Sequence, residues 1–232
     1  MNIEIQQPTL LLNPQRLVLY GVNWQTYEKA LDTFGDRPVR ITYDRGNLEL
    51  MSPLPIHEVY KCLFLRLLDY MSDELDFGMK ACGSTTFRRE DLDRGLEPDE
   101  CFYLANLSHV RNWSRIDLTV DPPPDLAVEV DNTNSSLNRM SIYAALGVPE
   151  LWRFDGESLQ AYELLEGAYV LRLHSPTFPF LPLGEIVDLL HQSILIADDR
   201  NLRRNLRTWV RDRVVALWQE WKSQQSSSQA EN

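Results

Sequence analysis

Two periodicities of hydrophobic residues run along this chain, and they predict an alternation of helices and strands. Val59, Leu63, Leu67 and Tyr70 recur at a spacing of three to four, which predicts the buried face of a helix capped by Ser52. Shorter apolar stretches bounded by turn residues predict strands. The remaining predicted helices are 24–31, 137–146, 184–196 and 200–221, and the predicted strands are 39–43, 48–51, 80–88, 97–104, 125–130, 150–154, 159–165 and 169–173. This order indicates an α/β or α+β fold with a mixed sheet.

The same pattern divides the chain of 232 residues into four parts. Residues 1–23 are predicted to form an N-terminal extension and residues 24–197 the main domain. Residues 198–222 are predicted to form a C-terminal amphipathic helix, because leucines and valines fall on one face and arginines on the other. Residues 223–232 are polar and of low complexity, which predicts a disordered tail.

Composition narrows the class of protein. The 44% of hydrophobic residues is ample for a buried core, and the net charge of −11 argues against sequence-independent coating of nucleic acid. No apolar run approaches the roughly 18 residues of a spanning helix. The N-terminus lacks the basic segment of a signal peptide. We therefore expect a cytoplasmic protein without membrane association.

Cysteine and histidine limit the kinds of metal site. Cys62, Cys82 and Cys101 lie about 20 positions apart without a CxxC pair, so neither a disulfide framework nor a zinc ribbon is indicated. The four histidines are scattered. Any metal would therefore be held by carboxylates and carbonyls, which suits Mg²⁺ or Mn²⁺.

Three acidic residues occupy unusual contexts. Asp99 follows a proline at the start of a predicted strand, and Glu129 lies inside the apolar run 126–130. Glu58 lies in the first turns of the helix after Ser52. A buried carboxylate is costly unless it is paired or binds a metal, so these positions are candidates for function. The alternatives are an edge strand with a wet polar face, or an acid favoured by the positive end of a helix.

The order of these acids, together with several sequence blocks, resembles the PD-(D/E)XK nuclease superfamily and, within it, the Uma-type family of restriction endonucleases. Glu97-Pro98-Asp99 supplies the two-letter Pro-Asp motif, which is weak alone. The apolar run around Glu129, followed at a fixed distance by a Tyr…Gly-Val-Pro-Glu-x-Trp block, is more specific. The resemblance rests on 51–53, 57–58, 97–99, 124–130 and 143–152, within about 24–183.

This resemblance implies a restriction-endonuclease-like core, a mixed sheet flanked by helices, to which the C-terminal helix is added. It implies a Mg²⁺-dependent phosphodiesterase site, with Mn²⁺ as a second candidate metal. Asp99 matches the motif aspartate, Glu129 the acid of the (D/E)XK element and Glu58 the helix-one glutamate, while the Val130 carbonyl is a further candidate ligand. The metal would polarise the phosphate and lower the pKa of an attacking water.

The expected cation departs from the superfamily pattern. The position two after Glu129 is Asp131 rather than lysine. Related families place the lysine on the following helix, four positions before a tyrosine, and here that residue is Arg139. Arginine can stabilise charge at a phosphate but cannot be a general base. Asp131 would add a ligand or pair with Arg139, and a solvent-exposed, structural Arg139 is the alternative.

A basic segment lies near the C-terminus. Residues 200–213 contain six arginines and one acid, a local net charge of +5. Arg200, Arg204, Arg207 and Arg211 fall on one helical face and are candidates for nucleic-acid binding. A solvated amphipathic face and a contact with a partner protein stay open as alternatives.

These observations favour a Mg²⁺-dependent endonuclease that hydrolyses DNA. The second hypothesis is a catalytically weak or inactive nuclease-like fold that binds nucleic acid or protein, because the motif lysine is missing. The third is a structural α/β protein whose acids lie apart on the surface. A homodimer would suit double-strand cleavage, since two-fold pairing is common among soluble proteins.

Overall fold

The chain is described by a computed structural model, which covers residues 15–35, 37–130, 137–196 and 198–230. Its helices are α1 (Trp24–Phe34), α2 (Pro55–Leu75), α3 (Arg139–Leu146), α4 (Leu183–Ile194), α5 (Asp199–Trp209) and α6 (Val215–Ala230). Its strands are β1 (Gln15–Tyr20), β2 (Arg40–Asp44), β3 (Asn47–Ser52), β4 (Lys80–Ala81), β5 (Phe87–Arg89), β6 (Arg94–Leu96), β7 (Glu100–Tyr103), β8 (Leu126–Val130), β9 (Glu150–Phe154), β10 (Leu159–Leu165) and β11 (Ala168–Arg172).

The strands form two sheets. One is antiparallel, with strand order β1-β3-β2-β6-β5, and the other has the order β11-β10-β9-β8-β7-β4. In the second sheet β8 and β9 are parallel and the other pairs are antiparallel, so the predicted mixed α/β fold with flanking helices is confirmed. The separate five-stranded sheet is not among the predictions. Its strand β1 lies inside the segment predicted as an N-terminal extension, and it pairs with β3.

The mixed sheet is covered on both faces, and this determines where its polar side chains lie. Leu126 and Val128 of β8 pack in the cluster that contains α2 and α4. Ala127 packs on the opposite face, in the cluster that contains Ile142 and Tyr143 of α3. Successive side chains of a strand alternate between faces, so Glu129 points to the α3 side.

Two details of α2 differ from the prediction. The helix begins at Pro55 with Leu54 as its N-cap, and Ser52 ends β3 instead of capping the helix. Leu54 precedes a proline and is therefore disfavoured in helical conformation, so the helix begins at Pro55, which suits the first helical position. Val59 is exposed rather than buried, and Tyr60 and Phe64 face the core instead.

The predicted strand 80–88 is broken into β4 and β5, which belong to different sheets. The break falls at Gly83, whose φ of +56° turns the chain out of the first sheet edge. Residues 94–96, which lie between the predicted strands 80–88 and 97–104, form the additional strand β6, which pairs with both β2 and β5.

The C-terminal helix is longer than predicted and interrupted. Residues 210–214 form a π-helical segment between α5 and α6, and α6 continues to Ala230, into the segment predicted as a disordered tail. Serine hydroxyls there donate to carbonyls four residues earlier, as Ser223 does to Gln219 at 2.9 Å. Among the described residues, no helix is both long and apolar enough to cross a membrane.

Candidate active site

Asp99 and Glu129 are brought together by the pairing of β7 with β8. Glu100 lies opposite Val128 and Cys101 opposite Ala127, so one further step places Asp99 opposite Glu129. The backbone N–H of Val130 donates to Asp99 Oδ2 at 2.8 Å, which fixes the aspartate at this end of the strand pair. Both acids are buried, with exposed fractions of 6% for Asp99 and 7% for Glu129. The structure therefore excludes the hypothesis that these two acids lie apart on the surface.

Arg139 holds Glu129 through a bidentate ion pair. Its Nη2 lies 2.6 Å from Oε1 and its Nε 2.9 Å from Oε2. The hydroxyl of Tyr143, one turn further along α3, donates to Oε1 as well. Residues four apart lie on the same helical face, so Arg139 and Tyr143 reach the same carboxylate. All three groups are donors, which is the environment of an ionised carboxylate.

Arg139 also connects the two sheets. Its Nη1 donates to Thr42 Oγ1 of β2 at 2.5 Å, and its Nη2 donates to the carbonyl of Glu97 at 2.7 Å. Only 14% of the side chain is exposed. The alternative of a solvent-exposed Arg139 is thereby excluded, since the contacts of its guanidinium with the described residues all lie inside the protein. Asp131, predicted as a ligand or a partner of Arg139, lies outside the described residues.

A second arginine links the remaining predicted acid to the site. Arg40, the first residue of β2, donates from Nη2 to Glu58 Oε1 at 3.0 Å. Its Nε lies 3.8 Å from Asp99 Oδ1. Glu58 is nearly half exposed and also pairs with Lys61, at 3.6 Å. Glu58 thus lies at the rim of the site and reaches Asp99 through Arg40.

These residues surround a small cavity of about 20 Å³, roughly the space of one water molecule. Among the described residues of its wall, three are arginines and three are acids, so their formal charges balance. The residues that line it are Arg16, Arg40, Glu49, Met51, His57, Asp99, Glu129, Val130 and Arg139. Strands from both sheets and the first turn of α2 contribute, which places the cavity between the sheets.

Burial controls the electrostatics of the paired acids. Desolvation raises the pKa of Asp99 and that of Glu129 above their ordinary values, and the charge of Arg139 opposes this in both. Burial acts to lower the pKa of Arg139, but the combined effect of Glu129, Tyr143 and Asp99 outweighs burial, and the pKa is raised well above its ordinary value. The guanidinium therefore stays charged wherever the protein is folded.

The donor set is compatible with a hard divalent cation but does not form a complete cage. Mg²⁺ is commonly bound by one or two carboxylates, with water and substrate phosphate completing the shell. Asp99, Glu129 and the Val130 carbonyl satisfy that minimum at one end of the strand pair. Among the described residues, no group of three or more His, Cys, Asp or Glu side chains is arranged to hold a metal. A metal bound through Glu129 would also have to share one of the Glu129 carboxylate oxygens with Arg139.

The arginine-rich face of α5 lies away from this cavity. Helix α5 runs beside α2 in the same direction, with Asp199 next to Arg66 and Arg207 next to Glu74. At a rise of 1.5 Å per residue, Arg66 and Glu74 lie about 12 and 24 Å along α2 from Glu58. The four candidate residues Arg200, Arg204, Arg207 and Arg211 are exposed. The basic face therefore begins beside the part of α2 nearer to Glu58, and it extends along α2 away from the site.

Sequence reasoning missed several residues of the site. Arg40 and Thr42 come from β2, and Tyr143 belongs to the sequence motif without a predicted role in the site. The available signal was the alternation Arg40, Thr42, Asp44, three polar residues on one side of a strand. Such a row is also typical of a solvated face, so it does not identify a site by itself.

Comparisons with known proteins agree with the sequence blocks. The profile of the Uma2 family, described as "Putative restriction endonuclease", matches residues 24–192. A similar solved structure is that of "a putative nuclease belonging to DUF820" from Anabaena variabilis ATCC 29413, with 14% identity and a TM-score of 0.42. The match covers 76% of this chain and 98% of that chain. No curated protein matches the chain.

Proposed function

The chain belongs to the Uma2 family, and we propose that it is a Mg²⁺-dependent endonuclease that hydrolyses phosphodiester bonds of DNA. The observation that carries the proposal is the placement of Asp99 and Glu129 on opposing strand ends in one buried cavity, beside Arg139. Burying two acids side by side is costly, and an enzyme that must bind a cation and a phosphate has a use for them.

In this proposal Asp99 and Glu129 hold the metal, with the Val130 carbonyl as a further oxygen donor. Bound Mg²⁺ would polarise the scissile phosphate and lower the pKa of the attacking water. Mn²⁺ prefers the same oxygen ligands and is the expected substitute.

The other side chains of the site supply positioning and positive charge. Arg139 orients Glu129 through its bidentate pair and offers a cation to the developing charge on the phosphate. It cannot remove a proton from water, because arginine stays protonated. Glu58 orients Arg40 at the rim, where Arg40 faces Asp99.

The direct test is metal-dependent cleavage of plasmid and single-stranded DNA by the full chain. Asp99→Asn and Glu129→Gln should each lower the cleavage rate by at least a hundredfold, since each removes a metal ligand. Glu100→Gln is the matched control, because Glu100 is adjacent to Asp99 and equally buried, and its side chain lies on the opposite face of β7. Cleavage that does not need metal, or that survives both substitutions, would reject the proposal.

One observation favours a second function, a nuclease-like fold that binds nucleic acid or protein without turnover. Arg139 and Tyr143 engage both oxygens of Glu129, which leaves this carboxylate without an unoccupied oxygen. Arg139→Lys separates the two functions, because lysine keeps the charge but loses the bidentate geometry. Faster cleavage by Arg139→Lys would show that the protein is a nuclease whose rate is limited by the arginine at position 139. Binding of Mg²⁺ in calorimetry without cleavage, in both the parent and Arg139→Lys, would assign the second function.

A further inference from the structure

Two cysteines that are distant in the sequence lie opposite each other across adjacent strands. Lys80 pairs with Tyr103 and Ala81 with Phe102, so the next position of the register pairs Cys82 with Cys101. The backbone N–H of Cys82 donates to the Cys101 carbonyl at 2.9 Å. Opposed residues of antiparallel strands have Cα atoms about 4.5–5.5 Å apart, which lies inside the range of roughly 4.4–6.8 Å that disulfides span.

Their side chains lie on the same face of the mixed sheet. Cys101 belongs to the cluster that packs against α3, and Cys82 packs against the same cluster. In the dithiol, Cys101 Sγ donates to the Gly83 carbonyl at 3.4 Å. A bond between the two sulfurs would therefore need no movement of one strand past the other.

The two thiols differ in access. Cys101 is completely buried, whereas Cys82 is partly exposed and lines an open cleft of about 680 Å³ between α1, β5 and the segment 113–119. Lys80, Thr85 and Trp113 line the same cleft. A small reagent can therefore reach Cys82 through this opening more readily than it can reach the buried Cys101.

The electrostatics of the pair agree with this asymmetry. The hydrogen bond from the Cys101 thiol, with a smaller contribution from Lys80, lowers the pKa of Cys82 below its ordinary value. A thiolate is the nucleophilic form of cysteine, and an accessible thiolate beside a second thiol is the arrangement found in redox-sensitive pairs.

We propose that Cys82 and Cys101 form a reversible disulfide when the protein meets a hydroperoxide. The Cys82 thiolate attacks one peroxide oxygen, the O–O bond breaks, and the leaving hydroxide or alkoxide takes a proton, which leaves a sulfenic acid. The Cys101 sulfur then attacks the Cys82 sulfur, the S–O bond breaks, and the hydroxyl leaves as water with the Cys101 proton. Two electrons pass from the thiols to the peroxide, and a dithiol reductant reverses the reaction. The proposal does not depend on nuclease activity.

The experiment uses the full chain treated with hydrogen peroxide, followed by blocking of free thiols and proteolysis without reductant. Mass spectrometry should find a linked peptide pair containing Cys82 and Cys101, in a monomer lighter by two hydrogens, and dithiothreitol should remove the link. The melting temperature of the oxidised monomer should rise, because the new bond closes a loop that the unfolded chain would otherwise leave open.

Cys62, an exposed cysteine on α2, provides the matched control. The linked pair should persist in Cys62→Ser and be absent in Cys82→Ser, in which Cys101 should remain a thiol. Oxidation that yields only intermolecular links through Cys62, or sulfinic acid at Cys82 beside a free Cys101, would overturn the proposal. The measurement on the parent chain decides this even if Cys82→Ser does not fold.

Discussion

Arginines occur in two contrasting settings in this protein. Arg139 lies between the two sheets and gives its guanidinium to Glu129, Thr42 and a backbone carbonyl. Arg207, on the basic face of α5, pairs with Glu74 and is more than half exposed. Arg139 is isolated in the sequence but has several buried partners in the structure. Arg207 belongs to a dense basic run, and its contacts with Glu74 and the ring of Tyr70 lie at the surface.

The difference shows that local charge density in a sequence indicates exposure rather than chemical importance. A run of arginines must stay in water, because burying several like charges together is prohibitively costly. A single arginine can be buried when acids from elsewhere in the chain neutralise it. Interactions between charges are also stronger away from water, so Arg139 should matter more to the protein than any arginine of α5.

The largest expected effect comes from breaking the buried pair. Arg139→Ala leaves Glu129 buried without its countercharge, beside Asp99, and should lower the free energy of unfolding by about 3–5 kcal/mol. Urea denaturation followed by circular dichroism measures this.

Two controls show whether the loss comes from the uncompensated carboxylate. Arg139→Ala combined with Glu129→Gln should be more stable than Arg139→Ala alone, because the second substitution removes the unpaired charge. Arg207→Ala should leave the urea midpoint within experimental scatter. If Arg139→Ala were as stable as the parent, the two settings would not differ as the structure indicates.

The pH dependence of cleavage gives the second comparison. Buried Asp99 and Glu129 have raised pKa values although arginines are near them. In contrast, Arg66 lowers the pKa of exposed Asp199, and Arg213 lowers that of partly exposed Glu185. A metal binds the ionised carboxylates, and a raised pKa keeps the protonated form to higher pH. The acidic limb of kcat/KM should therefore lie above the ordinary range for Asp and Glu.

A pH profile measured from pH 4 upward at a fixed Mg²⁺ concentration below saturation, where protons and metal compete for the carboxylates, would sharpen this point, with Asp199→Asn as the control that should leave the limb in place. A limb at the ordinary carboxyl pKa, about 4, would mean that desolvation does not govern these two acids. The sign follows from the binding of metal to the deprotonated form alone.

Part of the site could be predicted from the sequence because its signal is local. Glu129 interrupts an apolar strand and Asp99 follows a proline at a strand start, and both features are visible without knowledge of the fold. Arg139 could be predicted because it lies four positions before Tyr143. Each prediction needed only the few residues on either side.

The rest depended on which strands pair. Arg40 and Thr42 reach the site because β2 belongs to a second sheet packed beside the first, and no local pattern specifies that packing. Cys82 meets Cys101 only in the observed register of β4 with β7, after Gly83 divides the predicted strand 80–88. Contacts between segments distant in the sequence are decided by the pairing of strands, which periodicity does not report.

The smallest expected effect tests whether the exposed arginines contribute to DNA binding. Arg200 and Arg204 lie in the first half of α5, the half nearer to the rim of the site, so these two are the candidates for phosphate contacts. Binding of a duplex by Asp99→Asn, measured by fluorescence anisotropy across salt concentrations, should weaken when both become alanine. The slope of log K against log salt should fall by about 0.9 for each lost phosphate contact. Arg213→Ala is the control, because Arg213 is paired with Glu185 of α4, and should leave the slope unchanged. An unchanged slope for the double variant Arg200→Ala/Arg204→Ala would mean that the basic face is only solvated and does not bind DNA. The buried arginines would then be the cations that contact the phosphate.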